Sequence, residues 1–228
     1  MAAKNNKISI SKEDYLKAIA EAETEGEPVI AATVSRWLNV SAPAVTMAIR
    51  RLKRDGYIEV DGKGNILLTA EGRRIANRIL DRHHLIERLL VEIFDMEWYK
   101  VHEEAERLEH AVSEDFERLL VNKLQPGRLC PHGNDVEVTS PARRRQLGWI
   151  PLAEASVPAL ARVMSVYERD RELLEYLDRL NVRPGAELAL AERNYDDTIT
   201  FDVAGRREQL GLTVARRIWV QMVPDRTA

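Results

Sequence analysis

At 228 residues, 45% hydrophobic and 31% charged, the chain has room for two or three small domains and too many apolar residues to stay unfolded. No apolar run reaches the length of a membrane span, the opening Met-Ala-Ala-Lys-Asn-Asn-Lys is no signal peptide, and the single cysteine, Cys130, excludes an internal disulfide. The expectation is a soluble protein in a reducing cytoplasm, without a membrane partner. The formal net charge of −3 does not suggest nucleic acid, but positions 36–82 hold ten Lys or Arg against five Asp or Glu. Such a local basic surface is what phosphate contacts require.

Residues 11–22 read as a first helix capped by Ser11, with Tyr15, Leu16, Ile19 and Ala20 as its apolar stripe. After a turn at Thr24-Glu25-Gly26-Glu27-Pro28, residues 29–38 read as a short second helix burying Val29, Ile30, Val34 and Leu38. Asn39-Val40 is a tight connection, and Ser41 caps a third helix to about Arg54, with Pro43 in its first turn and Val45, Ala48, Ile49 and Leu52 inward. Residues 57–60 and 66–68 are short strands around Asp61-Gly62-Lys63-Gly64-Asn65, a hairpin signal. Three helices followed by a hairpin predict a winged helix-turn-helix over residues 1–74.

Thr69 caps a long helix to about Phe94, with Ile75, Ile79, Ile86, Leu90 and Ile93 on one stripe. A further helix is expected over about 99–120, with Val101, Ala105, Leu108, Val112, Phe116 and Leu119 as its apolar positions. These make a helical domain over 75–145. From Gln125 to about Pro158 the chain is punctuated by Pro126, Gly127, Pro131, Gly133, Pro141, Pro151 and Pro158 and reads as a linker. The last part, 146–228, alternates strands at 160–166, 187–191, 198–203 and 217–222 around a helix at 170–180, which suggests a small β-barrel. The fold class is therefore mainly α with a small β component.

The third helix is the DNA-reading candidate. Laid in a major groove, it presents Ser41, Ala42, Pro43, Thr46 and Met47 toward base edges, while Arg50, Arg51, Lys53, Arg54 and Lys63 of the hairpin can neutralise phosphates. Pro43, Ala44 and Met47 offer mainly apolar contact, for instance to thymine methyls, so shape readout carries much of the specificity.

Four of the five histidines lie between positions 83 and 110. His83 and Glu87 are four residues apart, and His102, Glu106, Glu109 and His110 follow at steps of four, three and one. On helices these spacings put imidazole and carboxylate on shared faces, and those are ligands for divalent transition metals. Singly, each residue has a plain structural reading. Asp14 suits a helix N-terminus, His84 lies outside the stripes and reads as structural, and Cys130, in Cys130-Pro131-His132-Gly133, lacks the thiolate partners of a zinc site.

Together, Glu13-Asp14-Tyr15-Leu16, Ser41-Ala42-Pro43-Ala44-Val45-Thr46, Leu68-Thr69-Ala70-Glu71-Gly72, His83-His84-Leu85-Ile86-Glu87, Val101-His102-Glu103-Glu104-Ala105-Glu106 and Glu109-His110 make nearly the whole chain resemble the diphtheria-toxin-repressor-like family of iron- and manganese-dependent transcriptional regulators. The resemblance implies a winged-helix domain, a helical dimerisation domain with two metal sites, and an SH3-like third domain. It implies one site of His83, Glu87 and His102, completed by Glu168 or, failing that, Asp170. It implies a second site of Asp14, Glu106, Glu109 and His110. Iron-type members carry Met and Cys where this chain has Asp14 and Glu106. Hard carboxylates suit Mn²⁺ better than Fe²⁺, and manganese-type members share them, so Mn²⁺ is the expected cofactor. Zn²⁺ and other divalent ions are expected to bind in vitro. Two-domain manganese-type members have a further Glu at the position of Lys17, so a closely spaced binuclear site of that kind is not expected.

The expected function is a homodimeric, Mn²⁺-activated repressor of metal-uptake genes that binds double-stranded operator DNA. It is not an enzyme and takes no small organic substrate. The alternatives are an Fe²⁺- or Zn²⁺-responsive regulator of the same fold, a metallohydrolase, and a protein whose metal serves folding alone.

Overall fold

A computed structural model describes residues 8–124, 129–137 and 140–224. It divides into two compact units, with the boundary inside the fourth helix, between His83 and His84.

The first unit begins with α1 (Ile10–Thr24), α2 (Ala31–Leu38) and α3 (Ala42–Arg54). Helix α1 starts earlier than its pattern suggested: its N-cap is Ser9 rather than Ser11, and no side-chain capping bond forms. Helix α2 buries Val34 and Trp37. Ile30, expected inside, is the exposed N-cap instead. Val29 precedes the helix, and its carbonyl accepts a hydrogen bond from the Ile66 amide at 2.7 Å. Helix α2 stops because Asn39 turns left-handed (φ 51°, ψ 45°), a conformation that Asn tolerates and that closes helix ends. Ser41 stands at the N-cap of α3 without a capping side-chain bond, and Val45 and Leu52 are buried.

Strands β1 (Ile58–Val60) and β2 (Ile66–Leu68) pair antiparallel, with Glu59 opposite Leu67. Asp61 shapes the turn between them by accepting from the amides of Lys63 (2.8 Å) and Asn65 (2.9 Å). Helix α4 (Ala70–Glu92) follows. Thr69 caps it as expected: its hydroxyl accepts from the Gly72 amide at 3.1 Å and donates to the Gly56 carbonyl at 2.8 Å. Gly72 is required here, because a Cβ would lie 2.0 Å from the Tyr57 carbonyl oxygen.

In the second unit, Ile86 and Leu90 of α4 pack with Val101 and Ala105 of α5 (Val101–Leu108). The single helix expected over 99–120 is two. Helix α6 (Glu114–Lys123) starts afresh at Ser113, whose hydroxyl accepts from the Phe116 amide at 3.2 Å. Leu108, Phe116 and Leu119, expected on one apolar face, are exposed, as is Ile93 at the end of α4.

The proline-rich stretch expected as a linker carries ordered elements: α7 (Pro141–Gln146), β3 (Trp149–Pro151) and a 3-10 turn at Leu152–Glu154. Beyond it lie β4 (Ala159–Val166), α8 (Arg171–Arg179), β5 (Glu187–Arg193), β6 (Thr198–Val203), β7 (Arg206–Gly211), α9 (Leu212–Ala215) and β8 (Ile218–Val223). The strands form one antiparallel sheet in the order β3-β8-β4-β5-β6-β7. Leu174, Leu177, Val182, Leu188, Ile199, Phe201 and Val220 fill its core. Trp98, from the segment between α4 and α5, is buried in that same core, and its indole N–H donates to Asp178. The helical segment and the sheet therefore share apolar contacts.

The close approach at Gly72 gives a stability prediction. Gly72→Ala forces α4 away from the end of β1 and costs about 1–3 kcal/mol of overpacking. Hydrogen exchange of the β1 and β2 amides in the full chain should accelerate; exchange at the native rate would show that the contact relaxes freely.

Candidate metal centre

The strongest cluster of ligand-type side chains lies within the second unit. Four elements build it. Helix α4 supplies His84 and Glu87, and α5 supplies His102 from its first turn. Glu168 follows the end of β4. The fourth contributor is the turn Cys130-Pro131-His132-Gly133-Asn134, closed by the Gly133 amide on the Cys130 carbonyl (2.9 Å) and the Cys130 amide on the Asn134 carbonyl (3.0 Å). This turn is pressed against β4. The Val166 amide donates to the His132 carbonyl at 2.9 Å, and a Cβ on Gly133 would lie 2.0 Å from the Met164 carbonyl oxygen.

His132 Nδ1 lies 3.4 Å from Glu87 Oε1 and 3.5 Å from Glu168 Oε2. His102 Nδ1 lies 3.3 Å from Glu87 Oε1 and 3.9 Å from Glu168 Oε1. The Cys130 thiol donates to Glu168 Oε2 at 3.4 Å. One ligand atom from each of His84, Glu87, Cys130 and Glu168 also lies within 4.8 Å of the others. Glu87 and His132 are both 0% exposed.

The arrangement fits a divalent ion. Donors held about 2.0–2.3 Å from a metal sit about 3.0–3.8 Å from one another. His132 also has the orientation typical of a metal-binding imidazole. Its Nε2–H donates to the Trp98 carbonyl at 2.9 Å, which turns Nδ1 toward the carboxylates. The electrostatics agree. Burial alone would lower the His132 pKa, but the charges of Glu87 and Glu168 and their hydrogen bonds outweigh it and raise it to about 10. Burial and the Glu87 charge push Glu168 upward, yet the hydrogen bond to His132 and the charges of His102 and His132 hold it well below the usual carboxylate range. Burial, then Glu168 and Glu87, push the Cys130 thiol up.

Cys130 has no thiolate partner, as expected, but it stands among carboxylates and imidazoles. Two readings of the sequence change here. His132 is not a linker residue but the most enclosed imidazole of the cluster. His84 stands with Glu87 on the cluster side of α4. The signal in the sequence was the pairing of the only cysteine with a histidine two positions later. Within the second unit, Glu87, His102 and Glu168 are residues named from the sequence that come together. Asp170 does not: it caps α8 by accepting from the Leu173 amide (3.0 Å) and pairs with Arg217 (2.8 Å).

His83 sits one helical turn before Glu87, fully buried. Its Nδ1 is 2.9 Å from the Lys17 ammonium, and Lys17 is itself buried. Glu106 is half exposed, 3.3 Å from Arg169 and 3.7 Å from His102 Nε2. Glu109 is buried, with Oε1 3.5 Å from His110 Nε2. Asp14 lies on α1 in the first unit.

On α3, Ser41, Ala42, Pro43, Ala44, Thr46, Met47, Arg50, Arg51, Lys53 and Arg54 are all exposed, as is Lys63 at the hairpin tip. The Thr46 hydroxyl donates to the Ala42 carbonyl at 2.9 Å, and Arg54 pairs with Asp55 at 2.9 Å. This basic, solvent-facing helix follows a left-handed turn and precedes a hairpin, as in a helix-turn-helix reader.

Comparison with known proteins gives the same organisation. Residues 7–66 match the model for the N-terminal DNA binding domain of iron dependent repressors, 69–136 that for their metal binding and dimerisation domain, and 150–222 the FeoA domain. The iron-dependent repressor IdeR of Mycobacterium tuberculosis is 38% identical over 131 residues, 58% of this chain. The chain spans 57% of the length of that relative. The diphtheria toxin repressor of Corynebacterium diphtheriae is 30% identical over 224 residues, covering 92% of this chain and 96% of its own. A manganese-dependent transcriptional repressor solved in complex with manganese superposes with a TM-score of 0.82 at 28% identity, over 93% of this chain and 100% of that one. Matched along almost the full length of the corynebacterial protein, and carrying the domains in the same order, the chain belongs to the diphtheria toxin repressor family of iron-dependent repressors.

Proposed function

We propose that the protein is a metal-dependent transcriptional repressor, not an enzyme, that binds operator DNA as a homodimer and responds to Mn²⁺, repressing metal-uptake genes. The observation that carries the metal dependence is the closed cluster of Glu87, His102, His132 and Glu168, with Cys130 and His84 at its edge. A divalent ion, when bound, supplies the positive charge that lets two buried carboxylates and neutral imidazoles share that space. His132 is oriented for it through Trp98, and Glu168 brings the C-terminal domain into the site. His83 is assigned to this site by resemblance, and Lys17 modulates it through their hydrogen bond.

A second ion is assigned to Asp14, Glu106, Glu109 and His110. Because Asp14 belongs to the DNA-binding unit and the other three to the helical segment, a shared ion would restrict one relative to the other. In a two-fold dimer this fixes the spacing of two recognition helices and acts by favouring the DNA-competent arrangement. The exposed apolar side chains of Phe116 and Leu119 on α6 support dimerisation, since such surface is usually covered in an assembly. The carboxylate-rich, sulfur-free donor set of this second site supports Mn²⁺ over Fe²⁺. The Cys130 thiol in the first cluster favours the alternative, an Fe²⁺- or Zn²⁺-responsive regulator, because a soft donor suits those ions better.

Three measurements test this reading. DNA spanning the protein's own promoter and neighbouring metal-transporter promoters is titrated at fixed salt with Mn²⁺, Fe²⁺ and Zn²⁺ separately, with chelator as control. Mn²⁺ is expected to induce binding at concentrations where Fe²⁺ does not; equal binding with and without metal removes the switch. Asp14→Ala should abolish metal-stimulated DNA binding while the circular dichroism of the fold persists, and a variant that still responds to Mn²⁺ removes the bridging role. Arg50→Ala should weaken binding to all sequences alike and reduce the slope of log affinity against log salt by about 0.9. An unchanged slope would take Arg50 off the phosphate backbone.

A further inference from the structure

Asn134 is tied to the metal cluster from an unexpected side. Its Nδ2 donates to Glu168 Oε2 at 2.6 Å and lies 3.4 Å from the Val166 carbonyl oxygen. Its Oδ1 accepts from Arg144 Nη2 at 3.2 Å. A guanidinium can only donate and an ionised carboxylate can only accept, so these two neighbours leave the amide a single orientation. Arg144 is itself immobilised. It is 2% exposed, and its guanidinium carbon stands 5.0 Å over the Trp219 ring, within cation–π range. Trp219 lies on β8, opposite Pro151 of β3 and Ser165 of β4. A continuous set of polar contacts thus runs from the sheet, through Arg144 and Asn134, to one oxygen of Glu168.

We propose that Asn134 is the positioning residue of the metal centre: anchored by Arg144, it holds Glu168 Oε2 and so fixes the direction in which the carboxylate meets the ion. This rests on the reading of Glu168 as a ligand. Glutamate has three side-chain torsions, and an unrestrained carboxylate at a domain's edge would sample many orientations. The amide hydrogen bond removes that freedom before any ion arrives. The Cys130 thiol touches the same oxygen at 3.4 Å and His132 Nδ1 stands 3.5 Å from it, while Oε1 faces His102 at 3.9 Å; of these neighbours Asn134 makes the shortest contact. Outer-shell partners of this kind change metal affinity by about 10–100-fold when removed.

The test is a double-mutant cycle on the full-length apoprotein, read as Mn²⁺ and Zn²⁺ affinity against a chelating dye, with the apoprotein's melting temperature as the folding control. Asn134→Ala is expected to weaken binding about tenfold or more in the native background and to cause no further loss in the Glu168→Ala background. Arg144→Met, which removes the guanidinium and keeps an apolar stem on Trp219, should show a smaller loss with the same dependence on Glu168, and it replaces Asn134→Ala if that variant does not fold. Native affinity in Asn134→Ala, or an equal loss with and without Glu168, overturns the positioning role. Native affinity in Glu168→Ala overturns the ligand assignment and this inference with it. If the cycle behaves as expected but metal leaves DNA binding unaltered, the regulator reading fails and the positioning role stands.

Discussion

Glu87, fully buried, and Glu168, nearly so, share one cluster, and much of the second unit is organised around that fact. Two carboxylates in a low dielectric repel strongly, and each has lost the hydration that would stabilise it outside. Positive charge must therefore be brought in. Without metal, the chain meets the need with imidazole: His132, fully enclosed, takes its proton far more tightly than a free histidine. A divalent ion is the denser alternative, able to satisfy both carboxylates and the imidazole lone pairs together. The elements that converge on the site are bound to one another by the same necessity. Helix α4, the first turn of α5, the turn at 130–134 and the end of β4 each contribute a donor that would be costly to bury alone.

The cluster also bears on which metal is chosen. Asp14 and Glu106 make the site assigned to them look hard from the sequence, and the proposed preference for manganese rests on those two carboxylates. The first cluster is mixed. Its thiol is raised by burial and by the two neighbouring carboxylates, so Cys130 gives up its proton reluctantly and contributes as a ligand only to an ion that attracts sulfur well. Relatives named for iron and for manganese both share this fold, in keeping with a scaffold whose selectivity depends on a few donor atoms.

The winged helix could be read directly from the sequence, because its signals are local. Asn39 ends α2 by turning left-handed, Thr69 caps α4, and Asp61 organises the hairpin turn. The break between α5 and α6 was also written locally, in Ser113 followed by Glu114, Asp115 and Glu117, but the apolar residues continuing through Phe116 and Leu119 hid it. Strand β7 was missed because Arg206-Arg207-Glu208-Gln209 shows little apolar alternation: it is an edge strand with Leu210 buried. The candidate site divided along the same line. Glu87 and His102 belong to helical periodicities and were found. His132 and Cys130 belong to a proline- and glycine-rich turn whose value appears only when β4 packs against it, and no spacing rule links residue 132 to residue 87.

Trp98 gives the arrangement a further meaning. Its indole ring is part of the C-terminal domain's core, while its backbone carbonyl orients His132. The C-terminal domain is thus not an accessory hung on a finished sensor. Shortening the chain before β4 would remove Glu168, leave Trp98 without its hydrophobic seat, and free the carbonyl that selects the His132 tautomer. Loss of metal response in such a truncation would say little about regulation by the domain, because the cut would have dismantled part of the candidate metal centre.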